Sequence, residues 1–118
     1  MDDDSMLLVI SEIILKDLGY DVITADRGVS GIELLKTNSV DLILLDLMMP
    51  DIYGLDVLKY IKETNQLKNI PIIIQTGIND NNEINTAYKL GAAYVLLKPY
   101  NKKDLTNTIE TLLQTSLS

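Results

Sequence analysis

Asp41-Leu42-Ile43-Leu44-Leu45-Asp46 is the stretch that decides the fold. It is a continuous apolar run bounded by acids, without the polar alternation of a half-exposed strand. Such a run reads as a strand buried on both faces. Two more follow the same pattern, Pro71-Ile72-Ile73-Ile74-Gln75 and the segment Ala93–Leu97. Uniformly apolar strands that alternate with helical spacing predict an α/β fold, a parallel sheet with helices on both faces. Right-handed crossovers then leave few topologies.

The segments between these strands carry helical signals. Ser5 is placed to cap a first helix that runs through Leu18, with Gly19 as its stop. Asp21–Ala25 reads as a further short β-branched strand. Val29, Ile32, Leu34 and Leu35 have helical spacing over residues 29–37. Pro50 and Gly54 punctuate a loop, and Leu55, Leu58 and Ile61 continue as a helix to Thr64. Asp80 with Glu83 makes a capping box for a helix to Leu90, which Gly91 ends. Asn101 with Asp104 caps a last helix through Leu113.

Composition narrows the chemistry. The 118 residues are the size of one domain, and 47% apolar content is too high for a disordered chain. Ten basic against seventeen acidic residues give a net charge of −7, the wrong sign for direct contact with nucleic acid or an anionic membrane. There is no Cys, hence no disulfide and no thiolate site, and no His, hence no imidazole ligand or base. The acidic opening is the opposite of a signal peptide, and no apolar run is long enough to span a bilayer. The expectation is a cytoplasmic protein.

In an open parallel sheet the site lies outside the carboxyl ends of the strands. Asp46 ends one strand, Thr76 follows the next, and Lys98 follows the last. Asp2–Asp4 lie just before the first helix. Taken singly, each has an ordinary role as cap, turn residue, surface charge or solvated tail. Their convergence on one sheet edge is what points to a site. A carboxylate can attack phosphorus to give an acyl phosphate, and no other convincing nucleophile is available. Asp2, Asp3 and Asp46 can form a pocket for Mg²⁺, or Mn²⁺ in its place, since crowded acids repel without a cation among them. Lys98 and the Thr76 hydroxyl can meet phosphoryl oxygens. Catalysis of this kind is positioning plus electrostatics.

These residues resemble the response-regulator receiver family, with the fold of the chemotaxis response regulator. The motifs that carry the resemblance are Asp2-Asp3-Asp4-Ser5, Gly19-Tyr20-Asp21-Val22, Asp41 through Pro50 with Gly54, Ile70-Pro71-Ile72, Thr76, Gly91-Ala92 and Lys98-Pro99-Tyr100. They cover nearly the whole chain. The resemblance implies Asp46 as phosphoryl acceptor and Asp2 and Asp3 as metal-binding acids, with the Met48 main-chain carbonyl as a further ligand. It implies Thr76 as switch hydroxyl, Lys98 as the site lysine, and a cis Lys98–Pro99 bond. It also implies a flavodoxin-like doubly wound five-stranded sheet of order 2-1-3-4-5.

The implied function is a two-component switch. A sensor histidine kinase or phosphotransfer protein passes a phosphoryl group to Asp46, and binding to a downstream target or to a second copy changes. This is a signalling role, not that of an enzyme. The chain reads as a single receiver domain over 1–118 with no output domain.

Three departures stand out. The family's first strand should precede Asp2, where the sequence has only Met1; the expectation is a missing or truncated strand, from residues absent ahead of Met1 or one donated by a partner. The family's switch aromatic falls at Val95, with Tyr94 one place earlier on the opposite face. Tyr53 stands where the family commonly has an Asp before Gly54, and Met48 and Ile78 are apolar near the acceptor; neither of these two can orient an attacking water, so slow self-dephosphorylation is expected. Two rival readings stay open: a pseudo-receiver that binds partners without phosphorylation, and an aspartate-nucleophile phosphohydrolase. The latter needs a second Asp where Met48 stands.

Overall fold

Ile72, Ile73 and Ile74 are completely buried, as residues of a strand covered on both faces must be. They belong to β2 (Ile72–Thr76), the middle strand of a parallel sheet whose other members are β1 (Ile43–Asp46) and β3 (Tyr94–Leu97), in the order β1-β2-β3. The computed structural model describes residues 1–117. Its helices are α1 (Ser5–Asp17), α2 (Gly28–Thr37), α3 (Gly54–Glu63), α4 (Asn81–Lys89) and α5 (Lys102–Leu117).

Two apolar clusters lie on opposite faces of the sheet, as the sequence predicts. One packs Ile43, Leu45, Ile72 and Ile74 against Leu35 of α2, Val57, Leu58 and Ile61 of α3 and Ala87 of α4. The other packs Ile73 and Leu96 against Leu105 and Ile109 of α5, with Ile14 and Leu15 of α1 at its margin. In α3 the spacing Gly54, Val57, Leu58, Ile61 brings one stripe inward. Each of its three large side chains contributes about 1.5–3 kcal/mol by leaving water. Gly19 and Gly91 have positive φ, as residues that stop helices in the left-handed region do.

Register aligns the carboxyl ends. Asp46 pairs with Gln75, and Thr76 with Leu97, so Asp46, Thr76 and Lys98 emerge along one edge. The Lys98–Pro99 peptide is cis.

Residues 21–25 do not form the expected strand. They lie beside the sheet without a ladder, and the backbone groups of Val22, Ile23 and Thr24 have no hydrogen-bond partner among the described residues. A strand is a property of a pair, and the position between this segment and β1 is filled only by Met1 and Asp2. The Met1 nitrogen donates to the Leu44 carbonyl at 2.7 Å, its carbonyl accepts from Asp46 at 2.9 Å, and the Asp2 amide donates to the Ala25 carbonyl at 3.1 Å. Beyond these two residues a cleft of about 860 Å³ opens, lined by Met1, Leu8, Leu15, Val22, Leu44 and Ile109 among others. The described sheet therefore has three strands rather than the four that the sequence suggests without the family's first strand.

The first helix also begins differently. Asp4, not Ser5, is the N-cap, and its carboxylate accepts from the Met6 and Leu7 amides. The last helix runs to Leu117 rather than stopping at Leu113.

Candidate functional site at the carboxyl edge of the sheet

Asp46 ends β1 and is 7% exposed; Asp2, just before α1, is 1% exposed. Two carboxylates this deeply placed need compensation. Lys98, in the loop after β3, supplies it: its Nζ lies 3.0 Å from Asp2 Oδ2 and 3.3 Å from Asp46 Oδ2. The Asp2 carboxylate also accepts from the Asp4 amide at 3.0 Å and from the Gln75 side-chain amide at 3.2 Å. Asp3 is exposed at the rim, and one carboxylate oxygen from each of Asp2, Asp3 and Asp46 falls within 4.8 Å of the others. An all-oxygen donor set of this kind suits a hard divalent cation.

The two buried acids are driven apart in acidity. Burial pushes Asp46 up to about 6, reinforced by its hydrogen bond with Asp2 and opposed by Lys98. Burial also acts upward on Asp2, but the Asp4 amide and Lys98 outweigh it and hold that carboxyl below the usual range. The pair thus ionises in two steps, Asp2 first. Burial alone would lower Lys98, yet the two acids more than reverse it, so its ammonium is secured.

Thr76 is buried at the end of β2. Its hydroxyl accepts from the Ile78 amide at 3.0 Å and makes no hydrogen bond to Asp46 among the described residues; its carbonyl accepts from the Lys98 amide at 2.7 Å. Met48 lies two residues beyond Asp46, bridged through its backbone to Tyr53, with its side chain 58% exposed. Gly54 is required by close approach: a Cβ there would sit 2.4 Å from the Asp46 carbonyl oxygen. Its amide donates to Leu47 at 2.7 Å, which closes the loop after Asp46. The structure thus brings Asp2, Asp3, Asp46 and Lys98 together, sets Thr76 on the adjacent strand end, and leaves Met48 on the loop alongside.

Several contacts at the site were not anticipated. Gln75 is the one amide at the end of an aliphatic run, a signal that a buried amide awaits partners. Asp51, on the loop after Asp46, accepts from the Gly28 and Val29 amides at 3.0 and 2.9 Å and so caps α2 from outside it. Glu83 was expected in a capping box; Asp80 does accept from the Asn82 amide at 2.8 Å, but the Glu83 carboxylate accepts instead from the Tyr53 hydroxyl. Burial and this carboxylate push Tyr53 up to about 12. Met48, Pro50, Tyr53, Ile78 and Glu83 border a depression of about 510 Å³ along the loop that follows Asp46. On β3, Tyr94 is 43% exposed and Val95 packs on the first cluster, so the two do face apart. The Val95 amide donates to the hydroxyl of Tyr88 in α4 at 3.1 Å.

A family model described as the response regulator receiver domain matches residues 1–110. The chain belongs to this receiver family. It is 36% identical over 118 residues to the chemotaxis protein CheY1 of Helicobacter pylori, covering 98% of this chain and 95% of that protein. It is also 36% identical over 119 residues to the cell cycle transcriptional regulator CtrA of Caulobacter vibrioides, covering 98% of this chain and 49% of that one. The receiver domain thus spans about half the length of the transcriptional regulators that it matches. A CheY-like response regulator receiver domain protein from Methanospirillum hungatei has the same fold, with a TM-score of 0.91 at 26% identity over 97% of this chain and 90% of that one. The chain is a signalling domain of two-component systems rather than a conventional enzyme, and among the described residues no helix is long and apolar enough to cross a membrane.

Proposed function

We propose that this receiver domain accepts a phosphoryl group on Asp46 from a sensor histidine kinase or phosphotransfer protein, in a Mg²⁺-dependent reaction, and thereby changes its binding to a downstream partner or a second copy. The observation that carries this reading is the placement of one ammonium, Lys98, between two buried carboxylates at the end of β1.

The carboxylate of Asp46 attacks phosphorus; its oxygen–phosphorus bond forms as the bond to the donor's nitrogen or oxygen breaks. With its acidity near pH 6, Asp46 is mostly ionised at neutral pH and ready to attack. Asp2, Asp3, Asp46 and the Met48 carbonyl would hold the divalent cation, which when bound supplies positive charge to anionic oxygens. Lys98 offsets charge on the phosphoryl group, and Thr76 has a hydroxyl proton to donate to it once its loop shifts. The added charge on Asp46 biases the positions of the Thr76 and Lys98 loops, and with them the α4–β3–α5 surface.

Tyr53, Met48 and Ile78 line the depression formed by the loop that follows the acceptor, and the Tyr53 hydroxyl is engaged by Glu83. None of them is placed to activate water, so the acyl phosphate should be long-lived. Following its decay by mass spectrometry checks this; rapid loss without a phosphatase would contradict it.

The central test is intact mass after incubation with acetyl phosphate or phosphoramidate. One phosphoryl adduct is expected, dependent on Mg²⁺ and absent in Asp46→Asn. A folded protein that takes no adduct would point instead to a receiver used purely as an interaction module.

A further inference from the structure

Gln75 is an amide on a wholly buried strand, between three isoleucines and Thr76, and is 2% exposed. An amide in such a place must be hydrogen-bonded to be tolerated. Both its ends are engaged. Its Oε1 accepts from the Tyr100 hydroxyl at 2.5 Å, and its Nε2 donates to Asp2 Oδ2 at 3.2 Å. The two ends of a glutamine amide are chemically distinct, and here Asp2 permits only one orientation, with which the Tyr100 hydroxyl acts as donor. An ionised carboxylate can only accept, so it must face the NH₂ group, and a phenol donating its proton must face the carbonyl. The acceptor-only Asp2 carboxylate therefore sets which way Gln75 points, and Tyr100 anchors the far end of the amide, so that Gln75 is held against the Asp2 carboxylate.

The Asp2 carboxylate has about four lone-pair positions. Gln75 and Lys98 occupy Oδ2, and the Asp4 amide occupies one position of Oδ1. Lys98 and Tyr100 leave the same short loop and reach Asp2 by two routes, one direct and one through Gln75.

We infer that Gln75 is a positioning residue for the divalent-cation site, aiming the Asp2 carboxylate while Tyr100 anchors the far end of its amide. The inference rests on the cation site proposed above. Groups that orient a metal's ligands typically matter by about 10–100-fold in affinity. A merely structural role would change folding stability without selectively changing cation affinity.

The test is a calorimetric Mg²⁺ titration of wild type, Gln75→Leu, Tyr100→Phe and the double variant, with fold and thermal stability measured in metal-free buffer. Gln75→Leu should weaken Mg²⁺ binding about 10–100-fold. Tyr100→Phe removes one oxygen and touches neither Asp2 nor Asp46, yet it should weaken binding by a smaller factor. The double variant should be no worse than Gln75→Leu, because both changes act through one amide. Wild-type affinity in a folded Gln75→Leu or in Tyr100→Phe would overturn the inference while leaving the cation site standing. Absence of Mg²⁺ binding by wild type would overturn both. Should Gln75→Leu not fold, Tyr100→Phe decides alone.

Discussion

At the scale of single residues the site is governed by two acids and one base in little water. Asp46 titrates near 6, above the range of a carboxyl in an unfolded chain, so the folded protein holds this proton more tightly. Between about pH 4 and 6 the native state then binds more protons, and this residue's contribution to stability falls as pH rises. Above pH 6 the penalty is fully present in metal-free protein. Asp46→Asn should therefore be more stable than wild type at pH 7 without Mg²⁺, by on the order of 1–2 kcal/mol, since solvent at the mouth screens the pair. The advantage should fade to nearly nothing below pH 4. Paired denaturant melts across that range check it, and a difference independent of pH would contradict it. Asp46, Asp2 and Lys98 were legible in the sequence because acids and a lysine at strand ends can only meet at one sheet edge. Gln75, Tyr100 and Asp2 were not legible as a group: Gln75 lies 73 positions from Asp2 and 25 from Tyr100. Nothing local marks such a contact.

At the scale of elements, helices were easier to read than strands. Their period and caps are written within a dozen residues, and Asn101 and Asp104 do cap α5 reciprocally. Asp4 displaced Ser5 as the cap of α1 because its carboxylate reaches two amides at once. The segment 21–25 has strand composition, but composition supplies no partner. The cap of α2 is the least readable of these features, since Asp51 reaches it from 22 and 23 residues away. The Val29 amide, then Gly28, holds the Asp51 carboxyl below its usual range. A depressed carboxyl contributes above its unfolded range and is lost as pH falls through its folded value. In Asp51→Ala, amide exchange at Gly28 and Val29 should speed up at neutral pH, with the amides of α3 little changed. At a pH acid enough to protonate Asp51 the two proteins should converge. Unaltered exchange at α2 would show that the cap is idle.

At the scale of the whole molecule the two apolar clusters divide unequally. Among the described residues, only the bonds of Met1 with Leu44 and Asp46 join residues 1–40 to the rest by backbone-to-backbone hydrogen bonding. α1 places no residue wholly in the core, whereas β2 is buried along its entire length. Regions with few buried contacts open first. Amides of residues 5–25 should therefore exchange well before those of β1–β3; uniform protection across both would contradict this. The fold class was legible here because the apolar strands force a covered parallel sheet. The cleft beside β1 was foreseeable only in so far as the family's first strand was expected ahead of Asp2.

That cleft would give a divalent cation bound at the proposed site a second role. Asp2 belongs to the loosely held N-terminal portion, and Asp46 to the firmly held sheet. An ion bridging them would act as a clasp across the weakest seam of the molecule, and its binding energy would become folding energy by mass action. At a hundred times its dissociation constant a ligand of the native state adds about 2.7 kcal/mol. The melting temperature should rise with Mg²⁺, fall back with chelator, and respond far less in Asp46→Asn. Ion concentration would then set how much intact receiver is present to hear a signal at all.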